Sequence, residues 1–466
     1  MEPPMIPDRR VHFVSLGCPK NRVDAEHMLA ILGVKGWQVV DEAERAEAIV
    51  VNTCAFIDES KEESVDAILE MAELKDSGRC KALVVSGCLA QRYADQLAEE
   101  MPEVDYFLGT AEYAKISEVL ERAAGMPRRI VSDPDFVATS AVPRVNSMPR
   151  HTAYLKIAEG CSNKCAFCII PTLRGLQNSR GIDDLVVEAT RLANSGVREL
   201  ILVAQDLTAY GVDLPGRPKL HELVEQLAQI DGLAWIRLMY AYPRNIKEPL
   251  LELMRDHPKV LPYLDMPIQH IDGAMLKRMK RATHPDKIRS ILHRLKEEVP
   301  GLTMRTTFIV GYPGETDEEF QALYDFVQEM EFQRVGVFRY SQEEGTPAAS
   351  LPDQVAEKIK AERQAQIMEL QAGIHRRHNE ALIGQTIEVL VDGVSEETEL
   401  LLQGRSVSQA PEIDGITYVN DGWANPGDLV RLRIEEVHDY DLVGGIEEVI
   451  IPAAMFEYSK GLEILG

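Results

Sequence analysis

The sequence has no long hydrophobic run and few aromatic residues. Although 45% of its 466 residues are hydrophobic, only 6% are Phe, Trp or Tyr. No apolar stretch approaches the roughly 20 residues that cross a membrane. The opening Met-Glu-Pro-Pro also lacks the basic patch and apolar core of a signal peptide. We therefore expect a cytoplasmic protein with no membrane contact, built from about three domains because one core seldom extends beyond ~300 residues.

Positive charge is also in short supply. The chain has 50 Lys and Arg against 75 Asp and Glu, a formal net charge of -25 with a pI near 4.9. Such a chain repels the phosphate backbone of a nucleic acid at long range, so an RNA substrate would need a local basic patch. The alternative is that this acidity serves solubility alone.

Cysteine occurs only seven times, without the pattern of a small disulfide-bonded secreted domain. Three of the seven, Cys161, Cys165 and Cys168, have the spacing C-x3-C-x2-C. Three thiolates on one loop can bind three irons of a 4Fe-4S cluster and leave the fourth iron open for chemistry. A structural zinc site is the main alternative, but it normally has four protein ligands, and no further Cys or His lies in or just after this loop. Three unrelated buried thiols are a weaker explanation of so tight a group.

Three other cysteines each end an apolar, β-branched run. The runs and their last residues are 11–18 with Cys18, 48–54 with Cys54, and 81–88 with Cys88. Helical patterns separate the runs, so we predict a parallel sheet with the three thiols at the carboxyl ends of its strands. Open α/β sheets bind ligands at that edge, and a second three-thiolate cluster can form there. The alternative is buried structural cysteine, which is how we interpret Cys80 because it precedes its strand.

Changes of pattern along the chain predict an α/β protein with three domains and one linker. Strand and helix patterns alternate first, and a Pro-rich and Ser-rich segment follows. Six further βα units predict an incomplete barrel, and short β segments then predict a small five-stranded barrel. The predicted boundaries are 8–123 for the N-terminal parallel-sheet domain, 124–150 for the linker, 151–382 for the partial (βα)6 barrel and 383–450 for the small all-β barrel.

Polar residues follow several of the predicted barrel strands. Gln205 and Asp206 follow one strand, Gln269 and His270 follow another, and a turn that begins at Gly311 follows a third. In such barrels the chemistry collects at the carboxyl ends of the strands. Turn formation and helix capping are the alternative for each residue taken alone. Their common placement favours a functional site.

With both cysteine sets placed, the chain resembles the methylthiotransferases of the radical S-adenosylmethionine (SAM) superfamily over almost its whole length. Members have an N-terminal domain with three cluster-binding cysteines, a radical SAM barrel with C-x3-C-x2-C, and a small C-terminal, OB-like barrel called TRAM. Three short segments further resemble the branch that modifies ribosomal protein S-twelve: LGCPKN at 16–21, CIIP at 168–171 and EEGTP at 343–347.

The resemblance implies two 4Fe-4S clusters and SAM as cofactors. The implied iron ligands are Cys161, Cys165 and Cys168 for the cluster whose open iron binds SAM, and Cys18, Cys54 and Cys88 for an auxiliary cluster that carries the sulfur. Phe167 is similar to the aromatic residue that packs on the adenine of SAM. Gln205 and Gly311 fall where the family binds the polar groups and ribose of SAM. The resemblance assigns no catalytic residue beyond the cluster ligands.

The reaction that the resemblance implies is methylthiolation of an aspartate β-carbon in ribosomal protein S-twelve. One SAM methylates the sulfur, and a second supplies the 5′-deoxyadenosyl radical that removes hydrogen from the carbon. A low-potential donor such as flavodoxin or ferredoxin would supply electrons. One alternative is methylthiolation of a tRNA adenosine, which the usual link of TRAM to RNA favours and the acidic composition disfavours. Another is a non-catalytic iron–sulfur electron carrier or RNA-binding module, which the polar strand ends disfavour.

The predicted C-terminal barrel is strongly acidic. Residues 383–450 contain 15 Asp and Glu but only 3 Arg and no Lys. Such a surface is a poor clamp for phosphate, whereas it suits a basic protein such as a ribosomal protein. We therefore expect this barrel to bind ribosomal protein S-twelve electrostatically, the alternative being an acidic surface that only faces solvent.

Overall fold

The computed structural model describes residues 9–76, 79–121, 126–244, 246–453 and 464–465. The predicted domain edge at residue 8 and the predicted junction near residues 122–125 lie outside these ranges. Within them, no helix is both long enough and apolar enough to span a bilayer.

The N-terminal part is a parallel six-stranded sheet with helices on both faces. Its elements are β1 (Arg10–Ser15), α1 (Pro19–Val34), β2 (Gln38–Val39), β3 (Ala48–Thr53), α2 (Asp58–Asp76), β4 (Ala82–Gly87), α3 (Cys88–Glu100), β5 (Tyr106–Leu108), α4 (Ile116–Leu120) and β6 (Arg129–Ile130). The strand order β2-β1-β3-β4-β5-β6 places the three predicted strands β1, β3 and β4 side by side. Successive residues of buried β3, Ile49 and Val50, join the cores on opposite faces, as the period of two requires.

The central part is a second parallel sheet of six strands that stays open, as predicted. Its strands are β7 (Thr152–Lys156), β10 (Glu199–Val203), β11 (Trp235–Leu238), β12 (Val260–Asp265), β13 (Thr303–Val310) and β14 (Arg334–Arg339), and the short pair β8 (Ala158–Glu159) and β9 (Asn178–Ser179) lies outside it. The helices are α5 (Ile170–Arg174), α6 (Ile182–Asn194), α7 (Leu220–Ala228), α8 (Glu248–Asp256), α9 (Gly273–Arg278), α10 (Pro285–Glu298), α11 (Asp317–Met330) and α12 (Glu357–Glu380). The strands are hydrogen-bonded in chain order from β7 to β14, which gives a partial barrel.

The C-terminal part is a closed five-stranded barrel. Its strands are β15 (Thr386–Val394), β16 (Leu402–Ser406), β17 (Thr417–Asp421), β18 (Leu429–Val437) and β19 (Leu442–Ile451), paired in the order β15-β16-β17-β19-β18. In β18, Leu432 and Ile434 are buried, whereas Arg431 and Arg433 face solvent. This alternation fills the barrel with apolar side chains and leaves its outside polar. The predicted fold class is therefore confirmed.

Part of the segment predicted as a linker is built into its neighbours. Residues 129–130 form β6 and pair with residues 107–108 of β5. Further along, the buried Arg144 donates from Nε to Glu26 of α1 at 2.8 Å and from NH2 to the carbonyl oxygen of Tyr154 in β7 at 2.7 Å. The segment thus extends the first sheet and ties it to the second. The exact domain boundaries stay a prediction.

One apolar cluster joins all three parts. It contains Val23 of α1, Tyr154 of β7, Ile201 of β10, and Leu390 and Leu429 of the C-terminal barrel. Because each part contributes buried side chains, separating any of them would expose apolar surface to water.

Candidate active site

Cys18, Cys54 and Cys88 lie at the carboxyl ends of three neighbouring strands. Cys18 immediately precedes α1, Cys54 directly follows β3, and Cys88 begins α3 after β4. This is the placement that the sequence predicts. Parallel strands deliver residues that are far apart in the chain to the same edge of a sheet.

A glycine in the left-handed backbone region precedes three of the six cysteines. Gly17, Gly87 and Gly160 have φ of 89°, 94° and 73°. A Cβ on Gly17 would lie 2.9 Å from the Cβ of Cys54, and one on Gly87 would lie 2.6 Å from the carbonyl oxygen of Thr53. Only glycine therefore allows both the turn and the close approach of the neighbouring strand end.

The N-terminal thiols differ in how easily they ionise. Burial raises the pKa of Cys88 to about 12 and also raises the pKa of Cys54. Burial opposes ionisation of Cys18 too, but the positive charges of Lys20 and Arg174 outweigh it and lower the pKa of that thiol. Since metal binding requires the thiolate, Cys18 is the thiol of this set best prepared to bind a metal.

The C-x3-C-x2-C loop runs between β8 and α5, and side chains donate N–H groups to its sulfurs. Asn163 Nδ2 lies 3.5 Å from the sulfur of Cys161, and Arg281 NH1 lies 3.5 Å from the sulfur of Cys165. Asn163 is in turn held by Asp206 at 2.7 Å. Donors of this kind stabilise negative charge on cluster sulfurs and orient the ligands.

Arg174 connects the two cysteine sets. It ends α5, just after the C-x3-C-x2-C loop, and its Nε donates to the sulfur of Cys88 at 3.3 Å. Its NH1 donates to Asp24 and, at 3.3 Å, to Glu159. Glu159 also accepts a hydrogen bond from Gln205 and lies two residues before Cys161. A chain of hydrogen bonds therefore runs from one set to the base of the other.

The charges of this network balance. Lys156 donates to both Asp24 and Glu159, so two buried cations face two buried carboxylates. Although burial alone would raise it, the pKa of Glu159 is lowered to about 2 by Lys156 and Arg174. Sequence analysis missed these residues. Lys156 and Glu159 could have been noticed as charged residues in a strand-like run. No local sequence pattern identifies Asp24 and Arg174 as their partners.

The surroundings of the two cysteine sets fit a four-iron cluster. A cubane demands that each thiolate bind its own iron. Partly or fully buried thiols with nearby N–H donors are suited to that demand.

Two of the other predicted site residues lie in the loop or beside it. Phe167 packs against the small apolar cluster that includes Tyr312 and Tyr340. Gln205 uses its Nε2 on Glu159 and leaves its Oε1 buried with no hydrogen-bond partner in the part of the chain that is described. A free buried acceptor of this kind suits a ligand amino group.

Gly311 and His270 have structural explanations. A Cβ on Gly311 would lie 2.2 Å from Lys360 Cγ, so glycine is needed where α12 packs against the end of β13. The N–H of Gly311 donates to Glu315 at 2.6 Å, and Glu315 also lies 3.2 Å from Nε2 of the fully buried His270. His270 is therefore a hydrogen-bonded core residue. A contact of Gly311 with SAM stays a prediction.

Comparison with known proteins covers all three parts of the chain. Residues 10–109 match the family described as uncharacterized protein family UPF0004, residues 155–327 match the radical SAM superfamily, and residues 383–446 match the TRAM domain. Among solved structures, the fold is similar to that of the radical SAM methyltransferase TsrM from Kitasatospora setae, with a TM-score of 0.54 and 16% identity over 73% of this chain and 77% of that one. The chain is a radical SAM enzyme.

Curated relatives are far more similar in sequence. The ribosomal protein uS12 methylthiotransferase RimO of Myxococcus xanthus is 56% identical over 440 residues, which cover 94% of this chain and 92% of the relative. The enzyme of the same name from Geobacter sulfurreducens is 52% identical over 94% of this chain and 98% of its own length. The chain belongs to the RimO family of methylthiotransferases.

Proposed function

We propose that this protein methylthiolates the β-carbon of an aspartate in ribosomal protein uS12. The observation that carries the proposal is the pair of cysteine sets joined through Arg174. Sulfur insertion into an unactivated C–H bond needs both a radical source and a sulfur donor within reach of one carbon. Two adjacent sets of three cysteines supply ligands for both, and the relatives named for this reaction support the assignment.

The first set would bind the SAM-cleaving cluster. Cys161, Cys165 and Cys168 would be its ligands, and a cluster bound there supplies the electron that splits SAM into methionine and a 5′-deoxyadenosyl radical. Asn163 and Arg281 would stabilise the charge on its sulfurs. Catalytic residues beyond the cluster ligands are not part of the proposal.

Three residues near this set would hold SAM itself. Phe167 would pack on the adenine of SAM, and the free Oε1 of Gln205 would accept a hydrogen bond from its amino group. The turn at Gly311 would lie against the ribose. These contacts would place the sulfonium beside the cluster and exclude water from it.

The second set would bind an auxiliary 4Fe-4S cluster that holds the sulfur to be inserted. Its ligands would be Cys18, Cys54 and Cys88, with Arg174 donating to the last of them. One SAM would be consumed in methylating the sulfur, and the other in removing the substrate hydrogen. Electrons would come from a low-potential protein such as flavodoxin or ferredoxin, in the cytoplasm where ribosomal proteins are found.

The C-terminal barrel would bind uS12 through its acidic surface. Most of its carboxylates are exposed, including Glu396, Glu399 and Asp421. The pairing of Leu402 with Val419 brings the turn at 395–401 next to Asp421, so these charges share one end of the barrel. A basic ribosomal protein would be attracted to such a surface, more weakly as salt rises.

The test is mass spectrometry of both candidate substrates. Full-length protein, reconstituted anaerobically with iron and sulfide, is incubated with SAM, a reductant, and either uS12 or bulk tRNA. We expect a methylthio group on one aspartate of uS12 and none on tRNA adenosine, and no product with the Cys161→Ala, Cys165→Ala, Cys168→Ala variant. Product on tRNA alone would establish the second candidate, which the TRAM match favours.

A further inference from the structure

Glu343 is a buried carboxylate of the central part that is held by side chains of the N-terminal part. The residue is 2% exposed and begins the EEGTP segment at 343–347. Its Oε2 accepts from Arg92 NH1 at 2.6 Å and from Lys61 Nζ at 3.0 Å. Its Oε1 accepts from the hydroxyl of Ser341 at 2.6 Å. Both carboxylate oxygens are therefore occupied, and both cations come from the other domain.

Arg92 lies beside the N-terminal cysteines. It is part of α3, which begins at Cys88, and its NH1 also donates to the carbonyl oxygen of Ala55 at 3.1 Å. Ala55 directly follows Cys54. The NH2 group of Arg92 donates to the carbonyl oxygen of Glu344 at 2.7 Å. One guanidinium thus joins the EEGTP segment to the backbone next to Cys54.

The end of the EEGTP segment contacts the C-x3-C-x2-C loop. Ala348 directly follows the segment, and its N–H donates to the carbonyl oxygen of Ala166 at 2.9 Å. Ala166 in turn directly follows Cys165. Within the segment, a Cβ on Gly345 would lie 3.5 Å from Cδ1 of Ile169, so the backbone packs closely there. The segment therefore touches the surroundings of both cysteine sets.

The charges around Glu343 are better suited to fixing a position than to adding stability. Lys61 also pairs with Asp58 at 2.6 Å, so two carboxylates face the two cations. Desolvation of a buried ion pair offsets much of its attraction, and apolar residues of similar volume often stabilise a fold equally well. Charge-assisted hydrogen bonds add geometric specificity, because they hold a carboxylate in one place and direction.

We propose that Glu343 is a positioning residue that fixes the separation of the two cysteine sets. This inference rests on the proposed function, in which sulfur and radical must reach the same carbon. Through Arg92 the carboxylate holds the backbone beside Cys54, and through its own segment it holds the backbone beside Cys165. A misplacement of about 1 Å can slow such a reaction about 100-fold. Without the carboxylate, radicals should form without sulfur being inserted.

The experiment compares Glu343→Gln with Glu344→Gln in the full-length protein. Glu344→Gln is the matched control, because it removes one charge from the adjacent residue, which is exposed. Glu343→Asp keeps the charge but withdraws it by one methylene. After anaerobic reconstitution, the measurements are iron content, SAM cleavage without uS12, and methylthio product per 5′-deoxyadenosine with uS12. Hydrogen exchange of the metal-free proteins, followed by mass spectrometry, reports on the contact between Ala348 and Ala166 when no cluster is bound.

For Glu343→Gln we expect iron content and SAM cleavage within about twofold of wild type, but at least about tenfold less methylthio product per 5′-deoxyadenosine. Glu343→Asp should change this ratio in the same direction by a smaller factor, and Glu344→Gln should match wild type. In metal-free Glu343→Gln, peptides that contain Ala348 should exchange faster than in wild type. Peptides from buried β10 should exchange as in wild type, because the fold itself is retained.

An unchanged product ratio in Glu343→Gln would overturn the assignment, and so would unchanged exchange at Ala348. Equal losses of iron, SAM cleavage and product would overturn it as well, because they would show that Glu343 only stabilises the fold. If Glu343→Gln does not fold, the same measurements on Glu343→Asp decide. If wild type forms no product on uS12, the proposed function is wrong, whereas hydrogen exchange still decides whether Glu343 holds the segment in place.

Discussion

The Nε atom of Arg174 donates a hydrogen bond to the sulfur of Cys88 across 3.3 Å, although the two residues belong to different domains. Arg174 ends the short helix that follows the C-x3-C-x2-C loop, and Cys88 begins α3 at the edge of the first sheet. Any shift of that helix therefore moves a donor at the other cysteine set. The two cysteine sets are therefore linked through the hydrogen bonds of one buried side chain.

Replacing Arg174 should destabilise the protein strongly. Arg174→Met leaves Asp24 and Glu159 with only Lys156 as a cation, so one buried carboxylate loses its compensation. We expect a loss of roughly 3–5 kcal/mol in the free energy of unfolding, measured with urea on metal-free protein. Asp24→Asn in the same chain should recover part of it, and Arg255→Ala at the surface should have little effect. A loss below about 1 kcal/mol would contradict the argument that Arg174 compensates a buried carboxylate.

Substitutions in the two cysteine sets should have different effects on SAM cleavage and on sulfur insertion. Replacing Cys161, Cys165 and Cys168 by Ala should halve the bound iron and abolish 5′-deoxyadenosine formation from SAM. Replacing Cys18, Cys54 and Cys88 should also halve the iron but leave SAM cleavage intact and stop sulfur insertion. Cys80→Ala is the control. The Cys80 thiol is buried and donates to the carbonyl oxygen of Ala82 within the first domain, so the protein with this substitution should keep all its iron. Methylthio product from the second variant would disprove the sulfur-delivery role.

The turn at Gly87 should not tolerate a side chain. Gly87→Ala must adopt φ near 94° and places its Cβ 2.6 Å from the Thr53 carbonyl oxygen. We expect a loss of at least about 1–3 kcal/mol in stability, measured by urea unfolding, with reduced iron in the N-terminal set. Gly181→Ala is the comparison, since nothing lies within 4 Å of that Cβ and its φ is -66°. Equal stability of the two variants would contradict the steric argument.

Stability should fall in mild acid because of His27. This residue is 1% exposed, donates from Nδ1 to the carbonyl oxygen of Pro143 at 2.9 Å, and has its pKa lowered by burial to about 3. The unfolded chain protonates His27 near its ordinary pKa of about 6.5, so it binds more protons than the folded chain between those values. From pH 7 to pH 5 we expect wild type to lose about 2 kcal/mol more than His27→Asn. If the free energies of unfolding of wild type and His27→Asn, measured in urea, change in parallel with pH, this role of His27 is excluded.

Binding of uS12 should depend on the charge at one end of the C-terminal barrel. Neutralising Glu396, Glu399 and Asp421 should slow association and flatten its dependence on salt, because exposed charges mainly steer encounter. The control neutralises Glu225, Glu252 and Glu297, which are exposed on the central domain. Surface plasmon resonance at several salt concentrations measures the association of uS12 with each of the two triple variants. Equal salt dependence in the two triple variants would refute docking at this end.

Charge neutralisation is a sharper test than removing the barrel. Buried Glu199 of β10 is paired with Arg405 of the barrel and with Arg237, whose NH1 donates to the barrel carbonyl oxygen of Val407 at 2.8 Å. Deleting the residues after Ile383 would expose these charges and the shared apolar cluster. The enzyme would then lose stability for reasons unrelated to docking.

The sequence by itself determined most of the helices and strands and the positions of the six candidate cluster cysteines. Cys18, Cys54 and Cys88 each end an apolar run, and the C-x3-C-x2-C spacing is contained in one loop, so both patterns are local. Short β segments predict the five-stranded barrel, and its strands are β15 to β19. A β6 strand inside the predicted linker was missed, because a two-residue strand at a sheet edge has no periodicity to detect.

Only the tertiary structure decided how charge is arranged around those thiols. Arg174 and Cys88 are 86 positions apart, and Lys20 meets the ring of Tyr240 across a domain boundary. A lysine or arginine in a sequence reveals its sign but not its burial or its partner. Whether a buried cation pairs with carboxylates, as Arg174 does, or packs on an aromatic ring, as Lys20 does, depends on which distant side chains the fold brings close to it.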